Sequence, residues 1–214
     1  MASFIADYHE TEEAFPLVYD LGRVSLEWNM IEQFFTATIW ELLGDYRTGM
    51  AVTSGMGNTS KADVVLRLTR ERVHDADVLQ AIEFACKAFN VLRENRNILI
   101  HSHSIFRSEK GAKPHWRRAT GKGPEGHLSA EADLADLEKI IADICSLGLF
   151  IVALTPFLHR RRKQHWPGKT RPELPAQFPM PSLLKQPAPA GPDDAKGSAL
   201  ARKPKRKISK HKTS

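Results

Sequence analysis

Apolar residues recur along this chain at helical rather than strand spacing. From Pro16 onward, Leu17, Leu21, Val24, Trp28, Ile31, Phe35, Ile39 and Leu42 advance mostly in steps of three and four, which places them on one stripe of a long first helix. Pro16 suits the first turn, where its missing N–H has no intrahelical partner to lose, and Gly44 suits the exit. A stretch rich in Gly, Thr and Ser, from Thr48 to Ser60, reads as a loop. Val64, Val65 and Leu68 then mark a shorter helix capped by Thr59 or Ser60. In a third helix Val78, Ile82, Ala85, Phe89, Leu92 and Leu99 keep a four-three alternation with one member out of character, Arg96. A guanidinium on an apolar stripe must find a partner, reach solvent at a groove, or face another chain.

After His101 two short runs, 102–107 and 115–120, flank a Gly-containing connection and predict a β-hairpin. Gly121, Gly123, Pro124 and Gly126 break regular structure until Ser129, which can cap a closing helix whose stripe runs through Leu134, Leu137, Ile141, Ile144, Gly148 and Ile151. Ile140, Leu147 and Leu154 widen that stripe beyond what one neighbour requires, so a second interface is expected. Ile144 to Leu158 is uncharged and precedes Arg160-Arg161-Arg162-Lys163, but at 15 residues it falls short of the roughly 20 that a spanning helix needs. It therefore reads as a buried helix, without a membrane role. Beyond Arg160 lie 9 of the 13 prolines and few large apolar residues. The expected division is an N-terminal arm (1–15), a helical bundle (16–160) and a disordered, Pro-rich basic tail (161–214).

Charge sharpens this division. The net +6 is an average over opposites, because residues 1–159 carry 16 basic and 22 acidic side chains whereas 160–214 carry 15 and 3. The basic character belongs to the tail, and any nucleic acid held by the bundle needs local cations. The run Arg202-Lys203-Pro204-Lys205-Arg206-Lys207 can localise the chain on RNA, DNA or an acidic partner through counterion release, or serve only to solubilise. Cys86 and Cys145 both sit in helical apolar patterns, which argues against a disulfide framework and fits a reducing cytoplasm. The N-terminus has no basic region followed by an apolar one, so no secretory signal is expected.

The motif Glu94-Asn95-Arg96-Asn97-Ile98-Leu99-Ile100-His101, at the end of the third helix, resembles the Arg, polar residue, variable positions, then His pattern of HEPN domains. The order of elements over residues 16 to 160 is similar as well. The resemblance implies an all-α fold, an antiparallel four-helix bundle with a short β-hairpin insertion between helices 3 and 4. It also implies a homodimer whose motif residues meet in one cleft to cleave RNA without a metal or other cofactor, in the manner of a toxin or phage-defence component with a cognate antitoxin. The chemistry is consistent with those residue types. RNA supplies its own 2′-hydroxyl nucleophile, so a base, a phosphorane-stabilising cation and a donor to the leaving oxygen suffice. Histidine exchanges protons near neutrality and arginine holds two phosphate oxygens at once, which suits His101 and Arg96 to these roles, with Asn97 orienting the histidine or hydrogen-bonding the ribose or phosphate.

Helical register raises an objection, because five residues turn about 500° and leave Arg96 and His101 roughly 140° apart. Either the helix ends near His101, or Arg96 of one chain works with His101 of the other. The register favours the intermolecular site. His103, Arg107, Arg117 and Arg118 are the candidate RNA contacts beside the cleft, with His115 and Trp116 nearby. Glu27 and Glu32 are the candidate supporting carboxylates. In the structural alternative they pair with Arg96, while His101 answers the negative helix end. His101-Ser102-His103 also has the spacing of a metal-binding pair, but no third ligand follows it. The rival function is a noncatalytic helical module that binds a nucleotide, RNA or a protein.

Overall fold

The computed structural model describes residues 14–102, 104–106, 114–119, 127–158 and 173–185. Five helices and a small sheet make up the chain: α1 (Ala14–Leu43), α2 (Tyr46–Thr53), α3 (Asn58–Arg72), α4 (Ala76–Ile100), β1 (Ser104–Phe106), β2 (His115–Ala119), β3 (His127–Glu131) and α5 (Leu134–Leu158). α1 packs on α5 and α3, and α4 packs on α3 and α5, so these four helices touch in a ring. The α1 stripe is buried as its spacing predicts, with Val24, Trp28, Phe35 and Ile39 fully enclosed. Trp28 and Phe35 both pack against Phe89 of α4, which ties the α1 stripe to the motif-bearing stripe of α4. Burying each such side chain contributes about 1.5–3 kcal/mol, enough to outweigh the weak helix propensity of β-branched and aromatic residues in these stripes.

The helix ends follow local chemistry. α1 stops at Gly44, the one residue of the described chain with positive φ (71°), whose N–H donates to the Trp40 carbonyl. Arg72 at the end of α3 donates to the carbonyls of Leu42 and Leu43, satisfying acceptors that the end of α1 leaves open. α5 begins with a reciprocal box in which the Asp136 N–H donates to Asp133 Oδ1 and the Asp133 N–H donates to Asp136 Oδ2. The length expected for the last helix is corrected: α5 runs over 25 residues rather than the 15 uncharged ones alone, so it is long and apolar enough to cross a membrane by length and composition, with 44% of its most apolar window buried in the fold. Its wide stripe meets α1 on one side and α4 on the other, which accounts for the second interface.

Several sequence expectations need correction. The stretch expected to be a loop from Thr48 contains most of α2, because Asp45 accepts hydrogen bonds from the N–H groups of Arg47 and Thr48 and nucleates the turn. Gly49 is there for close approach: a Cβ would lie 2.3 Å from Trp40 Cδ1. Neither Thr59 nor Ser60 caps α3, whose N-cap is Gly57 with no side-chain hydrogen bond. The expected hairpin is a three-stranded antiparallel sheet in the order β1-β2-β3, and Ser129 belongs to β3 opposite Arg117 rather than to a helix cap. The fold is thus mostly helical with a small sheet, not purely helical with a two-stranded insertion.

One part of the tail departs from the disorder expected for it. Residues 173–185 pack on the helices without forming one, with Pro181 buried and Leu174, Phe178 and Leu184 against the core. Proline-rich composition averaged over the whole tail concealed a short segment with enough apolar side chains to dock. The basic run from Arg202 lies outside the described residues.

Candidate functional site

α4 carries the motif to its last turn. Its stripe residues Val78, Ile82, Ala85, Phe89, Leu92 and Leu99 are buried, and Arg96 occupies the position in that series which its spacing assigns. The Arg96 Nε is enclosed and has no hydrogen-bond partner, while the far end of the guanidinium reaches the helix terminus. There Nη1 donates to Asn97 Oδ1 at 3.3 Å and lies 2.9 Å from His101 Nε2. Arginine can only donate, so Nε2 accepts and the ring proton of a neutral His101 sits on Nδ1.

The 140° objection is resolved within one chain. His101 has left the helix (φ −104°, ψ 14°) and forms its C-cap, its N–H donating to the Asn97 carbonyl. Ser102 Oγ donates to the Ile98 carbonyl and closes the same turn. The long arginine stem runs out of the core seam along the last turn and meets the imidazole, as cationic side chains with apolar stems commonly do. The register therefore does not require Arg96 and His101 to come from different chains.

The supporting carboxylates are elsewhere. Among the described residues neither Glu27 nor Glu32 pairs with Arg96; Glu27 lies against Cys145 of α5, where it helps raise that thiol above its ordinary range after burial itself. The reason is the ring of helices, in which α1 meets α5 and α3 more closely than α4.

The sheet separates the remaining candidates. Trp116 points inward, fully buried, with its Nε1 donating to the Ala132 carbonyl, so it is core and offers no ring for stacking a base. Arg117, one residue on, is exposed, and its side chain makes no hydrogen bond or ion pair with the described residues. His115 Nε2 meets Glu131 Oε1 across the β2–β3 pair at 3.1 Å. Arg118 is in β2 but its side chain is not among those described, and His103 and Arg107 lie outside the described residues. The structure thus brings Arg96, Asn97 and His101 together and leaves Arg117 on the outer face of the sheet. Among the described residues no group of three or more His, Cys, Asp or Glu side chains is arranged to hold a metal.

One polar residue escaped sequence reasoning. Asn95 is 1% exposed, and its carboxamide holds the 173–185 segment by accepting from the Leu184 N–H and donating to the Ser182 carbonyl, both at 2.9 Å. Its position one step from Arg96, on the stripe that includes Phe84 and Ala88, is the only signal that could have marked it.

Comparison with protein-family models, with curated proteins and with solved structures finds no match for this chain.

Proposed function

We propose that this protein is a metal-independent endoribonuclease of HEPN type, an antiparallel four-helix bundle of α1, α3, α4 and α5 that works as a homodimer in the cytoplasm. A toxin or phage-defence role with a cognate antitoxin belongs to the same reading. The observation that carries it is the 2.9 Å contact between Arg96 Nη1 and His101 Nε2 at the exposed end of α4. In this mechanism an RNA phosphate takes the guanidinium, and that exchange releases the Nε2 lone pair. His101 then removes the 2′-hydroxyl proton, the 2′-oxygen bonds to phosphorus, and the bond from phosphorus to the 5′-oxygen breaks as the His101 imidazolium returns that proton to the leaving oxygen, giving a 2′,3′-cyclic phosphate and a 5′-hydroxyl. Arg96 holds the added charge on the phosphorane, where a preorganised donor is worth most. Arg117 on the outer sheet face is a candidate for backbone phosphate contact.

The test is cleavage of end-labelled RNA in the presence of EDTA. His101→Ala and Arg96→Ala should each lower the rate by about 10²–10⁴, the span expected for an acid–base group or an oxyanion donor. Unchanged cleavage by a folded His101→Ala protein would sink the assignment. A noncatalytic binding module is the second reading, favoured by one feature: Arg96 occupies the lone pair that a general base must offer. Saturable RNA binding with no product in the same assay would select it.

A further inference from the structure

The segment 173–185 has no helix or strand, yet from Phe178 to Lys185 it makes specific contacts. Phe178 meets the ring of Phe84 on α4 edge-on at 5.1 Å and that of Phe150 on α5 at 5.9 Å. Further along, both hydrogen-bonding atoms of the buried Asn95 go to the segment's backbone, at Ser182 and Leu184. The Glu131 N–H at the end of β3 then donates to the Lys185 carbonyl at 3.0 Å. An enclosed carboxamide that accepts from one peptide N–H and donates to a nearby peptide carbonyl reads backbone, not side chain. Edge strands recognise extended peptides in the same way.

The spacing fits an extended ligand. Phe84 and Asn95 are eleven residues apart on α4, three turns and about 20°, so they share a face and are separated by about 16 Å. From Phe178 to Ser182 and Leu184 is four to six residues, about 12–19 Å at the rise of a polyproline helix. Between anchor and clamp stand Pro179 and Pro181, which hold φ near the extended value and reduce the entropy lost on docking. Neither has an N–H to leave unpaired, and the hydrogen bonds fall at Ser182, Leu184 and Lys185.

We propose that the groove formed by Phe84, Asn95, Phe150 and the end of β3 is a peptide-recognition site. Its ligand is an extended apolar segment with an aromatic anchor, two alternating prolines and a leucine six residues after the anchor. Residues 173–185 are its resident ligand, tethered in cis, and compete with a segment of the same chemistry presented by another chain. This stands apart from the ribonuclease reading, since neither Arg96 nor His101 takes part.

The experiment uses the full chain and a fluorescently labelled synthetic peptide of sequence Glu173 to Lys185, followed by anisotropy. The resident segment is weakened by Phe178→Ala with Leu184→Pro, which removes the ring anchor and the N–H that Asn95 accepts. The weakened chain should bind the peptide saturably, and the unaltered chain at least about tenfold more weakly because its own copy competes at high effective concentration. Adding Asn95→Ala to the weakened chain should lower affinity at least about tenfold, the scale of losing paired hydrogen bonds in an enclosed site. A weakened chain that stays cooperatively folded without binding the peptide overturns the proposal. So does equal binding with and without Asn95. Loss of cooperative folding in both the double variant and the milder Phe178→Ala protein overturns it too, because the segment is then part of the core.

Discussion

Arg96→Met separates a catalytic arginine from a structural one. In the folded protein the Arg96 Nε–H is enclosed without an acceptor, and an unsatisfied buried donor costs about 1–3 kcal/mol. Methionine follows a similar path through the seam and carries no donor. What is lost is the hydrogen bond to the exposed His101, worth about 0.5–1.5 kcal/mol, and the longer one to Asn97. The balance leaves the variant between about 1 kcal/mol less stable and about 2 kcal/mol more stable, which for a chain of this size is a Tm change between a fall of roughly 4 °C and a rise of roughly 8 °C. Urea unfolding followed by far-UV circular dichroism gives the stability, and RNA cleavage in EDTA gives the activity, expected to fall about 10²-fold or more. Gained or unchanged stability with lost cleavage is the signature of a residue kept for chemistry. Destabilisation by more than about 1 kcal/mol would refute the reasoning, since it would mean that the guanidinium's contacts outweigh its unsatisfied nitrogen.

Gly49→Ala should destabilise by about 1–2 kcal/mol even though alanine is the better helix former by about 1 kcal/mol, because the new Cβ meets a Trp40 ring held by Thr53 Oγ1 and the overpacking dominates; a raised urea midpoint would contradict this. Asp133→Ala removes the acceptor at the start of α5 and should lower stability by about 0.5–2 kcal/mol in the same measurement. Burial pushes the Cys86 thiol up from 9.0 to about 12, with Asp63 and Glu83 adding to the effect. Its folded pKa is therefore above its unfolded one, so the contribution is complete below about pH 9 and is lost as pH rises towards 12. Unfolding titrations at about pH 8 and about pH 10 should show a smaller alkaline loss in Cys86→Ala than in the parent protein; equal losses would show that the thiol is not differentially titrated.

Long helices were legible because burial imposes its period on many residues at once. The stripes of α1 and α4 could be read residue by residue, and Arg96 stood out only because six aliphatic or aromatic residues on the same seam made a cation anomalous there. What failed was local. α2 is eight residues long and depends on Asp45 rather than on a stripe, and β3 sits in a run whose glycines and serine resemble a loop before a helix. The third strand exists because Trp116 and Ala130 face each other and bury one side of the sheet, a pairing between segments that neither reveals alone.

The site shows the same limit in two adjacent residues. Arg96 was visible because it broke a pattern, and of the two arrangements that its register with His101 allowed, a helix that ends near His101 or a partner chain, the fold displays the first, because ideal helix geometry stops one residue short of His101. Asn95 broke no pattern, since an asparagine between Glu94 and Arg96 near a helix end reads as solvated. Its burial comes from a segment 87 residues away that was itself dismissed on average composition. Averaging conceals the charge distribution in the same way, because separating the overall +6 gives an acidic bundle and a basic tail. Applied at the scale of a dozen residues, the same separation isolates Leu174, Phe178, Leu183 and Leu184 amid proline. A stretch with that many large apolar groups and stiff backbone between them can offset its small ordering entropy by docking. An enclosed asparagine on the nearest helix face is then the expected means of holding its backbone, because apolar contacts alone would leave the peptide groups beneath it unpaired.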